Sequence, residues 1–305
     1  MRASIYEFMK VGIVHFKAFP EVVNGTGPVV ETLRKLCEDD FFTAIEMGTI
    51  KDIKARTEAA LMLQVSGMEV AYGCQPTLFP QKLSLNHLDS GERTKAIKAV
   101  LNGLKEAYDL GALSVRIPAG KDPGPERREE AKKLLVDSLS QILEQAKEMG
   151  DPLITLKIFD RDIDKASLIG PFSDALDIAK ALSPSYPKFG LLADLSHFPL
   201  LREKPEEAIP LVKDYLKAFH IGNCVMNDRL HPLYGDLQPR FGVPDGEVDM
   251  LMVRDYFKLL ADLGLIGSST RPILSAEVRP LLPGETSELI IANTKRVIRE
   301  AWALA

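Results

Sequence analysis

Two periodicities alternate along the chain. Short, almost continuously apolar runs recur at "VGIVHF", "FTAIEM", "MEVAYG", "ALSVRI", "LITLKIF", "FGLLAD", "LKAFHIG" and "PILSAEV". Between them lie amphipathic stretches with apolar residues at helical spacing, such as "GERTKAIKAVLNGLKEAYDLG" and "PERREEAKKLLVDSLSQILEQAKEMG". Unbroken apolar runs suit parallel strands that are covered by helices on one face and packed into a core on the other. Ser90 is read as the N-cap of the helix after it, Gly111 and Gly150 as helix terminators, and another helix is expected to begin near Pro28.

Eight strands with helical connections predict an α/β fold, a single (β/α)8 TIM barrel occupying one domain over residues 1–305. A doubly wound open sheet is the rival. The first strand-to-helix turn, "FKAFPEVVNGTGP", is not a GxGxxG phosphate loop, and no GxxxxGK[ST] occurs. The longest irregular segment, from about Asn223 to Gly246, follows the seventh run and is expected to be an active-site loop.

Composition narrows the function classes. With 46% hydrophobic and 27% charged residues and a net charge of −5, the chain has an ordinary globular profile. The mild acidic balance argues against nucleic acid or an anionic membrane as a partner. No apolar stretch approaches the roughly 20 residues that span a bilayer, and the N-terminus "MRASIYEFMK" lacks a signal-peptide core. Cys37, Cys74 and Cys224 are scattered and read as reduced, buried thiols, so a cytoplasmic location is expected.

The informative polar residues sit where the apolar runs end. His15, Glu46, Arg116, Lys157, Asp194, His220 and Glu277 close runs one, two and four to eight, Gln75 follows the third, and Asp160 and His197 lie just beyond the fifth and sixth. In a barrel these positions face the mouth, where substrate sites lie. A charge there is costly unless it is paired or bound to a ligand. Asp194, His220 and Glu277 would converge from three successive strands. One imidazole and two carboxylates suit Mn²⁺, Mg²⁺, Co²⁺ or Zn²⁺; a hydrogen-bonded cluster around a neutral histidine is the alternative.

Four pieces carry a resemblance: "DLSH" at Asp194–His197, "HIGN" at His220–Asn223, "RFGVPDGEVD" at Arg240–Asp249, and "AEVRP" around Glu277. With them the chain resembles the xylose isomerase-like TIM-barrel superfamily, in the branch of sugar phosphate isomerases/epimerases and tagatose/psicose 3-epimerases. The resemblance implies an isomerase/epimerase-like enzyme of carbohydrate metabolism, with one divalent metal ion held by a strand-five Glu, a strand-six Asp, a strand-seven His and a strand-eight Glu. The two glutamates would form the acid/base pair, and the substrate would be a small sugar that reacts through an enediolate. On this chain the metal ligands implied are Asp194, His220 and Glu277, with Glu277 also catalytic. His197 matches a family histidine, and His15 and Glu46 fall where substrate contacts occur. Relatives often pair, so a homodimer or homotetramer is expected. A DNA-repair endonuclease branch with a multi-metal site also exists, but five scattered histidines and the acidic balance do not favour it.

The strand-five glutamate is missing: "KIFDR" puts Lys157 in its place. Related sequences also often have a His at Gln238. Three readings of Lys157 compete. The metal persists on Asp194, His220 and Glu277 and Lys157 acts as base or acid; or the ammonium takes the ion's place and leaves a metal-free site; or Lys157 points outward and Asp160 repairs the site. Alternation puts Thr155 and Lys157 on the lumen side and weakens the third, and the sequence leans towards the first because three ligands overdetermine the holding of one lysine. The broader alternatives are a sugar-binding protein of altered or lost activity, and a lyase or hydrolase at the same mouth. Arg116, Asn223, Arg229 and Arg240 complete the candidate substrate contacts, with His231 beside them in the loop.

Overall fold

Each apolar run forms a strand in the computed structural model, which describes residues 3–305. The strands are β1 (Lys10–Val14), β2 (Ala44–Met47), β3 (Glu69–Gly73), β4 (Ser114–Pro118), β5 (Leu153–Lys157), β6 (Phe189–Asp194), β7 (Leu216–Gly222) and β8 (Ile273–Glu277). They pair in parallel in sequence order, and β8 closes onto β1, giving a (β/α)8 barrel. The principal outer helices span Val29–Cys37, Ile53–Ser66, Ser90–Asp109, Arg128–Glu148, Phe172–Leu182, Pro205–Val212, Met250–Asp262 and Ser287–Leu304, one after each strand.

Strand alternation sorts the side chains. On β5, Ile154 and Leu156 join the main core beneath the helices, while Lys157 is fully buried among polar groups of neighbouring strands. Ala44, Ala71 and Ile273 form a separate small apolar cluster. Space near them is tight: a Cβ on Gly12 would fall 2.5 Å from Ser275 Oγ. These short side chains leave room for the long polar ones of the next layer, Glu46, Arg116, Lys157 and His220, all buried.

The helix signals hold with one correction. Gly111 and Gly150 adopt φ of +72° and +85° just past their helices, a conformation glycine takes without steric cost. The helix beginning at Ser90 is capped by Asp89, not Ser90, because the Asp89 carboxylate accepts the Glu92 N–H at 2.9 Å and Ser90 is already inside the first turn.

The long connection after β7, residues 223–249, folds back over the barrel mouth through bridges from Val225 to Tyr234 and Gly246. Gly222 permits this approach: a Cβ there would lie 1.9 Å from Gln238 Oε1. Trp302 packs edge-on against Phe8 and donates its indole N–H to the Ala3 carbonyl at 3.1 Å. Cys74 and Cys224 are buried, Cys37 is half-buried, and none is in a disulfide. Among the described residues no helix is long and apolar enough to cross a membrane.

Candidate active site

Parallel register brings the polar strand ends to one level, with Asp194 opposite His220 and Gly222 opposite Glu277. Lys157 points inward, as its alternation predicts, and its ammonium lies among these three residues. Nζ is 2.9 Å from Asp194 Oδ2 and 3.2 Å from His220 Nδ1, and it donates a short hydrogen bond to Glu277 Oε2. The Phe159 ring covers it, with the centroid 4.9 Å away. This is the arrangement of the second reading above, an ammonium where an ion would sit.

His220 ties the lysine to a wider network. Its Nδ1 is 2.9 Å from Glu277 Oε2 and its Nε2 is 2.9 Å from Glu46 Oε2. Arg116 Nε approaches Glu46 at 3.7 Å, and its guanidinium donates to Thr155 Oγ1 at 3.4 Å. Glu277 Oε1 faces the other way and pairs with Lys17 Nζ at 2.8 Å. Desolvation and charge oppose each other at these groups, and charge wins. Burial would raise the carboxyl pKa of Glu277, but Lys157, Lys17 and His220 hold it well below the usual range. Asp194 is lowered against burial chiefly by Lys157. Burial would deprotonate Lys157, yet Asp194 and Glu277 hold its pKa above the ordinary value. His220 is likewise raised against burial by Glu46 and Glu277.

A second cluster lies beside the first. His197 Nε2 is 3.7 Å from Asp236 Oδ2 and 4.0 Å from Asp194 Oδ2, and Nδ1 is 4.0 Å from Asp160 Oδ1. Asp160 does not enter the lysine cluster; its carboxylate accepts the backbone N–H groups of Ile163, Asp164 and Lys165 and so shapes the loop after β5. Burial would raise the Asp236 carboxyl, but His197 and Lys165 lower it to about 2. Gln238 donates to Ser196 Oγ at 3.0 Å and to Asp236, bracing the post-β7 loop against β6. Asp160–His197–Asp236 and Asp194–His220–Glu277 are thus two buried groups of metal-ligating type, with donor atoms within 4.8 Å of one another in each.

The cavity at the mouth, about 260 Å³, is walled by Phe16, Phe79, Phe159 and prolines, with Lys17, Gln75, Lys165, Glu277 and Arg279 as its polar lining. Glu277 is its one acidic residue among the described residues. A larger cavity of about 510 Å³ lies at the opposite end of the barrel, bounded by Glu69, Leu113, Leu153 and Ile273, and Arg116 of the network reaches its wall.

Of the sequence candidates, Glu46, Arg116, Lys157, Asp194, His220 and Glu277 form the connected network, and His197 sits next to it. The remaining candidates are elsewhere. Asn223 organises the post-β7 loop, accepting the N–H of Cys224 and Val248 and donating to the Arg240 carbonyl. Arg240 pairs with Glu285 at 3.0 Å, and Arg229 is exposed in the same loop. His15 turns away from the mouth: its Nε2 meets Thr32 Oγ1, on the helix Val29–Cys37, at 2.9 Å. The reason is local. The chain enters a helical turn at His15–Ala18, so residues advance by about 100° rather than 180°, and Lys17 reaches the mouth instead. Lys17 and Lys165 were not singled out as mouth residues from sequence; the signal available was only a basic residue after a strand end.

Burial lowers the His15 pKa to about 4. An unfolded histidine titrates near 6.5, so between these values the unfolded chain binds the extra proton. Stability from a neutral His15 is therefore present above about pH 6.5 and is lost as pH falls towards 4, on the order of 3 kcal/mol in all. Urea denaturation of wild type and His15→Gln at pH 7 and pH 4.5 checks this. The stability difference between them should narrow or reverse at pH 4.5; parallel behaviour would show that His15 is not kept neutral by the fold.

Comparison with known proteins agrees with this architecture. A model of the xylose isomerase-like TIM-barrel family matches residues 29–277. Among solved structures, D-psicose 3-epimerase from Clostridium cellulolyticum H10, determined with D-tagatose, is similar at 17% identity and TM-score 0.66, covering 97% of this chain and 96% of that one. A D-tagatose 3-epimerase-like protein is 14% identical at TM-score 0.73, covering 97% and 98%. The IolI protein, whose structure binds a zinc atom, is 17% identical at TM-score 0.73 with the same coverages. Comparison with curated protein sequences gives no match.

Proposed function

The chain belongs to the xylose isomerase-like TIM-barrel family, and from that premise we propose that it is a sugar isomerase or epimerase. It moves a proton at a carbon beside the carbonyl of a small sugar or sugar derivative, through an enediolate. The observation that supports this reading is the position of Glu277: it is the only acid lining the mouth cavity among the described residues, and its Oε1 is paired with Lys17 inside it.

The chemistry follows from that pair. Glu277 Oε2 is held by Lys157 and His220, which leaves Oε1 to face substrate. Its low pKa keeps it ionised at neutral pH, and transfer of the Lys17 contact from Oε1 to the substrate oxygen raises its basicity for taking a proton. As the C–H bond breaks, its electron pair becomes the C=C bond of the enediolate and the carbonyl oxygen gains charge. The Lys17 ammonium is placed to donate a hydrogen bond to that oxygen. For isomerisation, the hydroxyl on the carbon that lost its hydrogen gives its proton to the charged oxygen and becomes the new carbonyl while Glu277 returns its proton to the former carbonyl carbon; return to the same carbon of a reoriented intermediate gives epimerisation. One acid in the cavity favours transfer on one face, hence aldose–ketose isomerisation over epimerisation by two opposed bases. The aromatic and proline walls offer surfaces for the C–H faces of a sugar. Arg279 has no ion-pair partner among the described residues, which gives the cavity a cationic surplus for a polar or anionic substituent.

Asp194, His220 and Glu277 are donors of the type that hold a divalent ion, the cofactor expected from the family resemblance. With Lys157 Nζ among them they do not fit one, and no step here passes through a metal. The same substitution motivates a second reading, a sugar-binding protein without turnover. Incubation with a panel of aldoses and ketoses in D₂O, followed by NMR, separates the two. Deuterium appearing beside the carbonyl together with an aldose–ketose pair is expected; saturable sugar binding with no exchange would leave the binding protein.

A further inference from the structure

We infer that Lys157 is a resident cation, a positioning residue whose ammonium fills the centre of the Asp194–His220–Glu277 triad, so that the wild-type protein takes no divalent ion there. This deepens the proposed function and rests on it only for the role of Glu277. Three observations carry it. The first is coordination. An ammonium has three N–H donors; Lys157 donates one to Glu277 Oε2, has His220 Nδ1 and the Phe159 face within reach, and is ion-paired with Asp194 Oδ2 at 2.9 Å. The distances of 2.9 and 3.2 Å to Asp194 and His220 are hydrogen-bond lengths, longer than the roughly 2.0–2.3 Å of a metal bond to such donors.

The second is charge. The ion pairs join Lys157, Lys17 and Arg116 to Glu46, Asp194 and Glu277, with His220 between them. Within these groups three cations face three carboxylates when the imidazole is neutral, and His197 continues the network to Asp160, Asp236 and Lys165, two carboxylates and one cation more. A divalent ion added beside the ammonium would put two like-signed cations a few ångströms apart in a place with almost no access to water. The third is burial: Lys157 has no exposed surface, and its neighbours Leu156 and Ile158 are locked in the main core. An ion could enter only if the ammonium left, and the adjoining carboxylates are already engaged, Asp160 by loop N–H groups and Asp236 by Lys165 and Gln238. Spacing alone would admit a metal, since the triad donors lie within 4.8 Å of one another. The ammonium already among those donors excludes it.

The corollary is that Lys157→Glu changes the site's chemistry: it removes the cation and supplies a fourth donor to the triad. The test is metal uptake, which does not depend on turnover. Wild type, His220→Asn, Lys157→Glu and the Lys157→Glu/His220→Asn double variant are stripped with chelator, dialysed against Mn²⁺ or Zn²⁺, and assayed for bound metal. Wild type should show no uptake that depends on His220, and Lys157→Glu should bind about one equivalent, lost in the double variant. Uptake by wild type that persists in His220→Asn lies outside the triad, as the inference requires. One equivalent in wild type that disappears in His220→Asn overturns it, and so does folded Lys157→Glu with no gain in binding. If Lys157→Glu fails to fold, the wild-type and His220→Asn pair still decides. Deuterium exchange by wild type in chelator is measured in parallel. Its absence under every condition would sink the proposed function while leaving the metal result to stand on its own.

Discussion

Lys157→Met is expected to lose about 3–5 kcal/mol of folding stability, the usual consequence of removing one partner from a buried ion pair. The cause is what stays behind. Asp194 would keep no cation nearer than His220 at 3.8 Å and His197 at 4.0 Å, and neither is charged unless protonated. Glu277 would retain Lys17 and His220 but lose its short contact to the ammonium. Methionine is close to lysine in length and can fill the space, so the loss reports charge rather than a cavity. Urea denaturation measures it. Because the substitution removes the ammonium and the flexible methionine side chain can swing aside, Mn²⁺ or Zn²⁺ should raise the unfolding midpoint of this variant and leave wild type unchanged. A loss below about 1 kcal/mol, with no metal effect, would mean that Lys157 is not the counter-charge of this network.

Glu277→Gln is expected to lower the exchange of substrate hydrogen with solvent roughly 10²- to 10⁴-fold, the range contributed by a positioned acid or base. The amide keeps the shape of the side chain and can still touch Lys17, Lys157 and His220, but it cannot take a proton from carbon. Folding should survive better than in Lys157→Met, because Asp194 still pairs with Lys157 and Glu46 with His220 and Arg116. The informative measurement is the split between kcat and KM. A fall in kcat with KM little changed places Glu277 in proton transfer. Exchange within threefold of wild type would remove it from that role and direct attention to His197, whose ring nitrogens make no hydrogen bond.

The barrel was legible because strand and helix periods differ and each apolar run was long enough to show one of them. Asp194, His220 and Glu277 were legible as a group because each closes its strand, and parallel register brings such residues to one level. Lys157 could be placed in the lumen by alternation alone. The failures occurred where the backbone leaves strand geometry. His15 is the clearest case: one helical turn after β1 rotates it onto Thr32 and sends Lys17 to the cavity. Asp160 and Asn223 were read as candidates for the site, but their oxygens accept loop N–H groups, a role set by loop conformation and invisible in residue type. Arg240 is taken up by Glu285, 45 residues away in sequence, a pairing that no local pattern encodes.

The sequence by itself determined the eight-fold alternation of strand and helix, the inward side of β5, and the presence of a lysine at the end of that strand. These are local properties, fixed by side-chain period and by which residues stand at which strand end. Only the tertiary structure decided what Lys157 does. Its surroundings come from β6, β7 and β8, so whether Asp194, His220 and Glu277 surround an ion or an ammonium depends on distances of a few ångströms between strands, and on the charges that Glu46, Arg116 and Lys17 bring from other parts of the chain.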